Sequence, residues 1–164
     1  MLALSEVQSP IGTLYVVEGD AGVCALGFED DRDATLAALR TRFGSEPRAA
    51  DQPTIAARRL RAYLDGDLDA LDDVRVDARG TPFQQRVWAA LRTVRRGRTA
   101  TYGQIAQALG QPTATRAVGL ANARNPVAIV VPCHRIVGAN GMLTGYAGGL
   151  DRKRWLLRHE GIPV

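Results

Sequence analysis

The 164-residue chain has few cysteines, the residues that cross-link small secreted domains or bind their structural metals. Its two cysteines, Cys24 and Cys133, are too few for a disulfide framework or a four-cysteine zinc site. No apolar run reaches the roughly 18 residues of a membrane span. The N-terminus has no basic segment followed by an apolar stretch, so a secretory signal is not expected. These absences favour a cytoplasmic protein that does not interact with a membrane.

Acidic residues are scarce in the second half of the chain. Residues 80–164 carry 12 basic side chains against only Asp151 and Glu160, whereas residues 1–79 carry nine arginines against 15 acids. The net charge is +10 for residues 80–164 and −6 for residues 1–79, and the overall charge of +4 conceals this asymmetry. A basic half joined to an acidic half indicates a polyanion bound by one half, with nucleic acid favoured over a membrane. A merely solvated basic face is an equally open interpretation.

The first half has the pattern of a small β-rich domain with helices. Three short runs separated by turn residues predict an antiparallel meander, at Leu2–Gln8, Thr13–Glu18 and Val23–Phe28. The elements expected after it are a helix capped by Asp33 and stopped by Gly44, a helix opened by Pro53-Thr54, and a strand at Val74–Asp77.

Near residue 79 the pattern changes to short helices with clear start signals. Thr81–Gln84 and Thr101–Gln104 both have the capping-box spacing, a threonine followed three residues later by a glutamine. Thr113 is expected to cap a further helix that runs to about Ala123. Two short helices joined by a turn with glycine and proline describe a helix-turn-helix. Small residues in the second of these helices allow close approach, either to another helix or, in these basic surroundings, to DNA.

A reactive thiol is the next candidate feature. The β-branched run Val127–Val131 predicts a buried strand that leads directly to Pro132-Cys133-His134-Arg135. The positive charge of this half is expected to lower the pKa of the Cys133 thiol and so raise its reactivity. A buried, inert cysteine is the alternative.

The adjacent histidine constrains any mechanism. Successive side chains of an extended segment point to opposite sides, so Cys133 and His134 can cooperate only through a backbone turn or a bridging water. A third group would then have to fix the histidine tautomer. Glu160 and Asp151 are the only acids in this half of the chain that could do so.

Five blocks in order, at matching spacing between Gly80 and Gly161, resemble one known family. They are GTPFQQRVWAAL, TYGQIAQALG, TRAVGLANARNP, IVVPCHRIVG and LTGYAGGLDRKRWLLRHEG. The family is that of the O6-alkylguanine-DNA alkyltransferases, or methylated-DNA–protein-cysteine methyltransferases. The resemblance implies an α+β fold, with a small N-terminal β-sheet domain with helices (ribonuclease H-like) at residues 1–78. A C-terminal winged-helix-like helix-turn-helix domain at residues 79–164 would bind DNA and accept the alkyl group.

The resemblance also implies an activity. An alkyl group would move irreversibly from O6-alkylguanine, with O4-alkylthymine as a second candidate substrate, to Cys133 by in-line displacement, once per molecule. His134 resembles the base that deprotonates Cys133 through a water, and Glu160 resembles the group that orients it. Tyr102 resembles the phenol that donates a proton toward the departing guanine. Asn125 resembles the residue whose amide holds the turn before the acceptor cysteine.

DNA contacts and a base pocket are implied in the same way. Arg116 resembles the arginine that replaces an extruded nucleotide in the base stack, on a helix that enters the minor groove. The residues expected beside it on the DNA are Ala114, Thr115, Ala117 and Gly119. The residues expected to line the guanine pocket are Ile136, Tyr146, Ala147 and Gly148. The resemblance implies no cofactor. No metal site is expected either, because the N-terminal half has Cys24 and no histidine.

The expected partner is therefore double-stranded DNA that contains O6-alkylguanine, bound by a monomer. Two alternatives stay open on the sequence. The chain could be a helix-turn-helix sensor of alkylation damage, or a transcriptional regulator, that binds without transferring anything. It could also be a hydrolase that uses Cys133, His134 and Glu160 as a triad, although the adjacent Cys-His order disfavours this.

Overall fold

An antiparallel meander forms most of the sheet in the first half of the chain, as the sequence predicts. The computed structural model describes residues 1–164. Its first three strands are β1 (Ala3–Ser9), β2 (Gly12–Gly19) and β3 (Gly22–Phe28). A short fourth strand, β4 (Arg48–Ala49), pairs parallel to β1, which gives the strand order β3-β2-β1-β4.

Two helices accompany this sheet, α1 (Arg32–Phe43) and α2 (Ile55–Leu64). Leu39 of α1 packs with strand residues in a core that includes Tyr15, Val17 and Cys24. Helix α2 begins directly after Pro53-Thr54, as predicted, and the Thr54 hydroxyl caps it by accepting a hydrogen bond from the Ala57 amide.

Two predictions in this half are wrong in detail. Helix α1 starts after Asp31, and no side chain caps it, so Asp33 lies inside the first turn. The segment Val74–Asp77 is not a strand, because only Val76 forms a bridge, to Val23. The backbone of residues 75–76 passes very close to Gly22. A Cβ at Gly22 would lie 2.6 Å from the Arg75 carbonyl oxygen, so this close approach requires a glycine.

The second half is built around three short helices. These are α3 (Pro82–Leu91), α4 (Tyr102–Ala108) and α5 (Thr115–Ala123). Both predicted capping boxes are confirmed. In each, the threonine hydroxyl accepts from the backbone N–H of the glutamine, and the side-chain oxygen of the glutamine accepts from the backbone N–H of the threonine. The Trp88 indole on α3 donates to the Ala121 carbonyl of α5 at 3.0 Å, and this hydrogen bond ties α5 to α3.

The remaining elements carry the segments after α5. Strands β5 (Ala100–Thr101) and β6 (Ile136–Val137) pair in parallel, and α6 (Leu150–His159) is the last helix. The two halves form two compact units, Met1–Arg79 and Gly80–Val164. This is the expected α+β architecture, and none of its helices has the length and apolar character needed to cross a membrane.

Two predictions in the second half are also wrong. Thr113 does not cap α5: the residue before the helix is Ala114, and no side chain bonds its first turn. Val127–Val131 is not a strand but a buried turn, in which Ile129 has φ +71°. A run of β-branched residues favours a strand locally, and side-chain hydrogen bonds from Asn125 override that preference here.

Thr54, which caps α2, and Thr113, which was predicted to cap α5 and does not, should differ in their effect on stability. Thr54→Ala removes an observed cap and is expected to lower the free energy of unfolding by about 1 kcal/mol. Thr113 is exposed and makes no capping hydrogen bond, so Thr113→Ala should stay within about 0.5 kcal/mol of the parent protein. Urea unfolding followed by circular dichroism measures both, and equal losses would contradict the capping assignment.

Candidate active site

The turn after α5 delivers Cys133 to the interior. The Asn125 side chain spans this turn, because its amide donates to the Val131 carbonyl at 2.8 Å and its oxygen accepts from the Val127 amide at 3.0 Å. Cys133 then opens a 3-10 turn, Cys133–Arg135, and is only 5% exposed. The backbone thus turns at the Cys-His pair, one of the two arrangements that the sequence allowed.

A buried network of charged groups surrounds His134. Its ring is fully buried, and Nε2 lies 2.9 Å from Oε2 of Glu160. Arg135 donates to both oxygens of the same carboxylate, from Nε and Nη2, each at 2.9 Å. A further bond from Nη1 of Arg135 to the Val94 carbonyl anchors the network in the turn that follows α3.

This network determines the protonation states. Burial alone would raise the pKa of Glu160, but His134 and Arg135 together hold that pKa well below its usual range. The carboxylate is therefore ionised and can only accept, so Nε2 of His134 carries the N–H. Burial lowers the pKa of His134 below its ordinary value despite the opposing influence of Glu160, so the ring is neutral at pH 7.

The other imidazole nitrogen is then an available base. In the neutral tautomer fixed by Glu160, Nδ1 of His134 bears a lone pair. Nδ1 is buried and has no hydrogen-bond partner in the protein. A buried, unsatisfied acceptor is costly unless water or a substrate group completes it. The arrangement can therefore receive a proton at Nδ1 while Glu160 stabilises the resulting imidazolium.

The expectation of a lowered thiol pKa is wrong. Burial raises the pKa of Cys133 above its ordinary value, and this outweighs the lowering influence of the Asn125 side chain and the Lys153 charge. At rest the sulfur is therefore a thiol, and forming the thiolate needs a proton acceptor. Local charge alone does not activate this cysteine.

Sequence reasoning missed two side chains here, Arg135 and Lys153. Lys153 is fully buried, and its ammonium group donates to three backbone carbonyls. The available signal was spacing, because Lys153, Leu156, Leu157 and Glu160 follow the i, i+3, i+4, i+7 pattern of one helix face. Two ionisable residues on an apolar stripe indicate buried charges with specific partners. No group of three His, Cys, Asp or Glu side chains is placed to hold a metal ion.

Tyr102 lies between α5, the candidate DNA-recognition helix, and the loop that begins at Thr144. It is the first residue of α4 and is half-buried. A Cβ on Gly119 of α5 would lie 3.8 Å from its ring, and its hydroxyl accepts a long hydrogen bond, 3.4 Å, from the Thr144 hydroxyl. Tyr102 and Gly119 are thus brought together with the start of the glycine-rich loop, residues 144–149.

One face of α5 is open. Thr115, Arg116 and Ala117 are exposed, while Ala114 and Gly119 are half-buried. Leu120 is 52% exposed one turn after Arg116, an apolar surface residue that sequence analysis did not single out. Small side chains and an unpaired arginine give this face a low profile and positive charge.

The four residues expected to line a pocket occupy different environments. Ile136 is fully buried in β6, and its carbonyl accepts from Lys153. In the loop before α6, Tyr146 and Gly148 are half-buried and Ala147 is exposed. Backbone groups of this loop are thus accessible to solvent. Lys153 links the start of the loop to Ile136, which directly follows the Cys133–Arg135 turn.

Two family models together match almost the whole chain. The ribonuclease-like domain of 6-O-methylguanine DNA methyltransferase matches residues 4–78, and the DNA binding domain of the same family matches residues 82–162. Among curated relatives, the methylated-DNA–protein-cysteine methyltransferase of Salmonella typhimurium is 46% identical over 98% of both chains. Its counterpart from Mycolicibacterium paratuberculosis is 48% identical over 98% of this chain and 93% of its own.

Solved structures agree with these sequence matches. The crystal structure of the Mycobacterium tuberculosis O6-methylguanine methyltransferase superimposes with a TM-score of 0.78 at 42% identity, over 98% of this chain and 93% of that one. A complex of the M. tuberculosis protein with DNA also gives 0.78, at 43% identity over 96% and 92% of the two chains.

The charge of Arg135 should be measurable at His134. Arg135→Met removes one of the influences that lower the His134 pKa, so that pKa should rise. The two histidines, His134 and His159, can be titrated separately by NMR, with His159 as the internal reference. Arg154→Met removes the same charge from α6 without touching Glu160 and should leave His134 unchanged. A falling or unchanged His134 pKa in Arg135→Met would contradict the network.

Proposed function

The chain belongs to the 6-O-methylguanine DNA methyltransferase family, and we propose on this basis that it repairs DNA by transferring an alkyl group from O6-alkylguanine to its own Cys133. The observation that carries the assignment to this cysteine is the His134–Glu160 hydrogen bond. It leaves a basic nitrogen on the residue next to the only cysteine of the basic half. Double-stranded DNA is the partner, and O4-alkylthymine is a second candidate substrate.

The chemistry is an in-line displacement at the alkyl carbon. The Cys133 proton passes, through a bridging water, to Nδ1 of His134, and Glu160 stabilises the imidazolium. A bond forms between the sulfur and the alkyl carbon while the bond from that carbon to guanine O6 breaks. Tyr102 donates a proton toward the departing guanine. The thioether that forms on Cys133 is stable, so each molecule acts once.

The open face of α5 supports binding in the minor groove. Its small residues allow the helix backbone to approach a narrow groove, with Ala114, Thr115, Ala117 and Gly119 next to the DNA. The alkylated oxygen lies inside the duplex, so the nucleotide must be extruded at a cost of a few kcal/mol. Arg116, exposed on this face, fills the space left in the base stack. Base reading in the minor groove is degenerate, which suits a search for damage in any sequence.

The glycine-rich loop supports a pocket for the extruded base. Ile136 lies on the Cys133 side, and Tyr146, Ala147 and Gly148 contribute the opposite wall, mainly through backbone groups. Asn125 keeps the acceptor turn in place. All these residues lie within residues 80–164 of one chain, which supports action as a monomer, and a DNA partner supports a cytoplasmic location.

Alkyl transfer should leave a covalent mark on one residue. After incubation with a duplex that contains O6-methylguanine, intact-mass spectrometry should show a gain of one methylene unit, and peptide mapping should place it on Cys133. Cys133→Ala should gain nothing. Cys24→Ala, which removes the other cysteine, should gain the same mass as the parent protein. Binding of the duplex without any mass change would support the damage-sensor alternative instead.

Arg116 should matter only when a nucleotide has to be extruded. Arg116→Ala is expected to slow transfer from duplex DNA by about 10- to 100-fold, because part of an extrusion cost of a few kcal/mol is no longer offset. Transfer from the free base O6-benzylguanine should keep its rate. Arg124→Ala, an exposed arginine at the other end of the same helix, is the matched control. Equal losses on both substrates would remove the extrusion role.

A further inference from the structure

A threonine of the glycine-rich loop contacts the hydroxyl group that the proposed mechanism uses as its acid. The Thr144 hydroxyl donates to the Tyr102 hydroxyl oxygen at 3.4 Å. The two residues are 42 positions apart in the chain, one at the start of α4 and the other in the loop before α6. The contact is therefore a product of the fold, and the proposed mechanism gives a role to Tyr102 but none to Thr144.

The ring of Tyr102 is fixed, whereas the direction of its O–H bond is not. A capping box at Thr101 fixes the first turn of α4, where Tyr102 begins the helix. A Cβ on Gly119 would lie 3.8 Å from the Tyr102 ring, so the ring lies alongside α5 at this glycine. A phenolic hydroxyl can still rotate, and its hydrogen-bond partners decide where its hydrogen points.

The side chain of Thr144 has little freedom of its own. Its backbone carbonyl accepts a hydrogen bond from Lys153 at 2.8 Å. Its methyl group lies so close to Gly138 that a Cβ on that glycine would come within 3.1 Å of it. A β-branched side chain has few χ1 rotamers, so placing the methyl group also places the hydroxyl. Thr144 therefore presents its hydroxyl to Tyr102 in a defined direction.

A hydrogen bond donated to the Tyr102 oxygen has two consequences for an acid. The oxygen accepts from Thr144, so the phenolic hydrogen is left for another acceptor, which in the proposed mechanism is the departing base. In the transfer step the electron pair of the carbon–oxygen bond goes to guanine, guanine takes the Tyr102 proton, and a phenolate remains. Hydrogen bonds to an ionised acceptor are about twice as strong as those to a neutral one, so Thr144 stabilises this phenolate.

We propose that Thr144 is a positioning residue for alkyl transfer, which orients the Tyr102 hydroxyl toward the base and stabilises its oxygen as the proton leaves. The proposal rests on the proposed function, since it requires Tyr102 to donate a proton toward the departing guanine. The bond at 3.4 Å is long, and catalytic hydrogen bonds are often long without substrate and tighten when it binds. Because Thr144 acts through Tyr102, its effect requires the Tyr102 hydroxyl.

A double-mutant cycle tests whether Thr144 acts through Tyr102. Thr144→Val keeps the shape of the side chain and removes its hydroxyl. It should slow single-turnover methyl transfer from O6-methylguanine in duplex DNA by about 5- to 10-fold, the effect of losing one such hydrogen bond. In Tyr102→Phe, which has no phenolic oxygen, adding Thr144→Val should change the rate by less than about twofold. Equal losses in the two backgrounds would overturn the proposal.

A methyl donor whose leaving group needs no proton provides an independent test. Iodide leaves methyl iodide without accepting a proton, so Thr144→Val and the parent should methylate Cys133 at the same rate with this reagent. Peptide mapping identifies Cys133 as the modified residue in both reactions. A comparable loss of rate with methyl iodide would mean that Thr144 supports the site as a whole, and the proposal would be wrong.

A conservative variant and a matched control complete the comparison. Thr144→Ser keeps the hydroxyl, so its rate should stay within about threefold of the parent. Thr99→Val removes the hydroxyl of another exposed threonine in the same unit of the chain and should leave the rate unchanged. A rate for Thr144→Ser as low as that of Thr144→Val contradicts the proposal. Should Thr144→Val not fold, Thr144→Ala takes its place against the same criteria.

The parent protein and Tyr102→Phe distinguish this proposal from the one it rests on. If the parent does not acquire a methyl group on Cys133, the proposed function fails before any variant is made. If the parent is methylated and Tyr102→Phe reacts as fast, the role of Tyr102 fails and the role of Thr144 with it. If Tyr102→Phe is slow and Thr144→Val reacts as fast as the parent, only the positioning role fails.

Discussion

The Glu160 carboxylate is the group on which the arrangement of the site depends. It is buried at the end of α6 and accepts hydrogen bonds from His134 and from two nitrogens of Arg135. A buried carboxylate that lost these partners would be strongly destabilising, by several kcal/mol. Because it is ionised, it assigns the N–H of His134 to Nε2 and leaves Nδ1 basic. One buried negative charge thus connects α6, the Cys133 turn and, through Arg135, the turn that follows α3.

The short turn between α5 and Cys133 connects DNA recognition to chemistry. Only nine residues, 124–132, separate the helix from the acceptor cysteine. Ile129 adopts φ +71° within them, a conformation that costs a β-branched residue of order 1–3 kcal/mol. Asn125 holds the turn with two side-chain hydrogen bonds. Under the proposed function, a helix seated on DNA therefore has a nearly fixed relation to the sulfur that must reach the extruded base.

Sequence reasoning succeeded where the physical cause is local. Capping boxes at Thr81 and Thr101 involve residues three apart and fold as predicted. It failed where side-chain hydrogen bonds to the backbone decide: the apolar run at Val127–Val131 has the composition of a strand, yet the side-chain amide of Asn125 holds it as a turn. The roles of Arg135 and Lys153 depend on the backbone carbonyls they meet, and no spacing rule identifies carbonyls. For Cys133, counting positive charge neglected burial, the larger influence on its pKa.

The raised pKa of Cys133 suits an acceptor that acts once. A thiolate is a far better nucleophile than a thiol, and a permanently ionised cysteine would react with any small electrophile that reached it. A buried thiol with a raised pKa is protected from such loss. Deprotonation then depends on His134, whose burial keeps it neutral and able to accept a proton. Under the proposed function, reactivity belongs to the assembled site rather than to the cysteine, and an acceptor that cannot be regenerated is reserved for a substrate that fits.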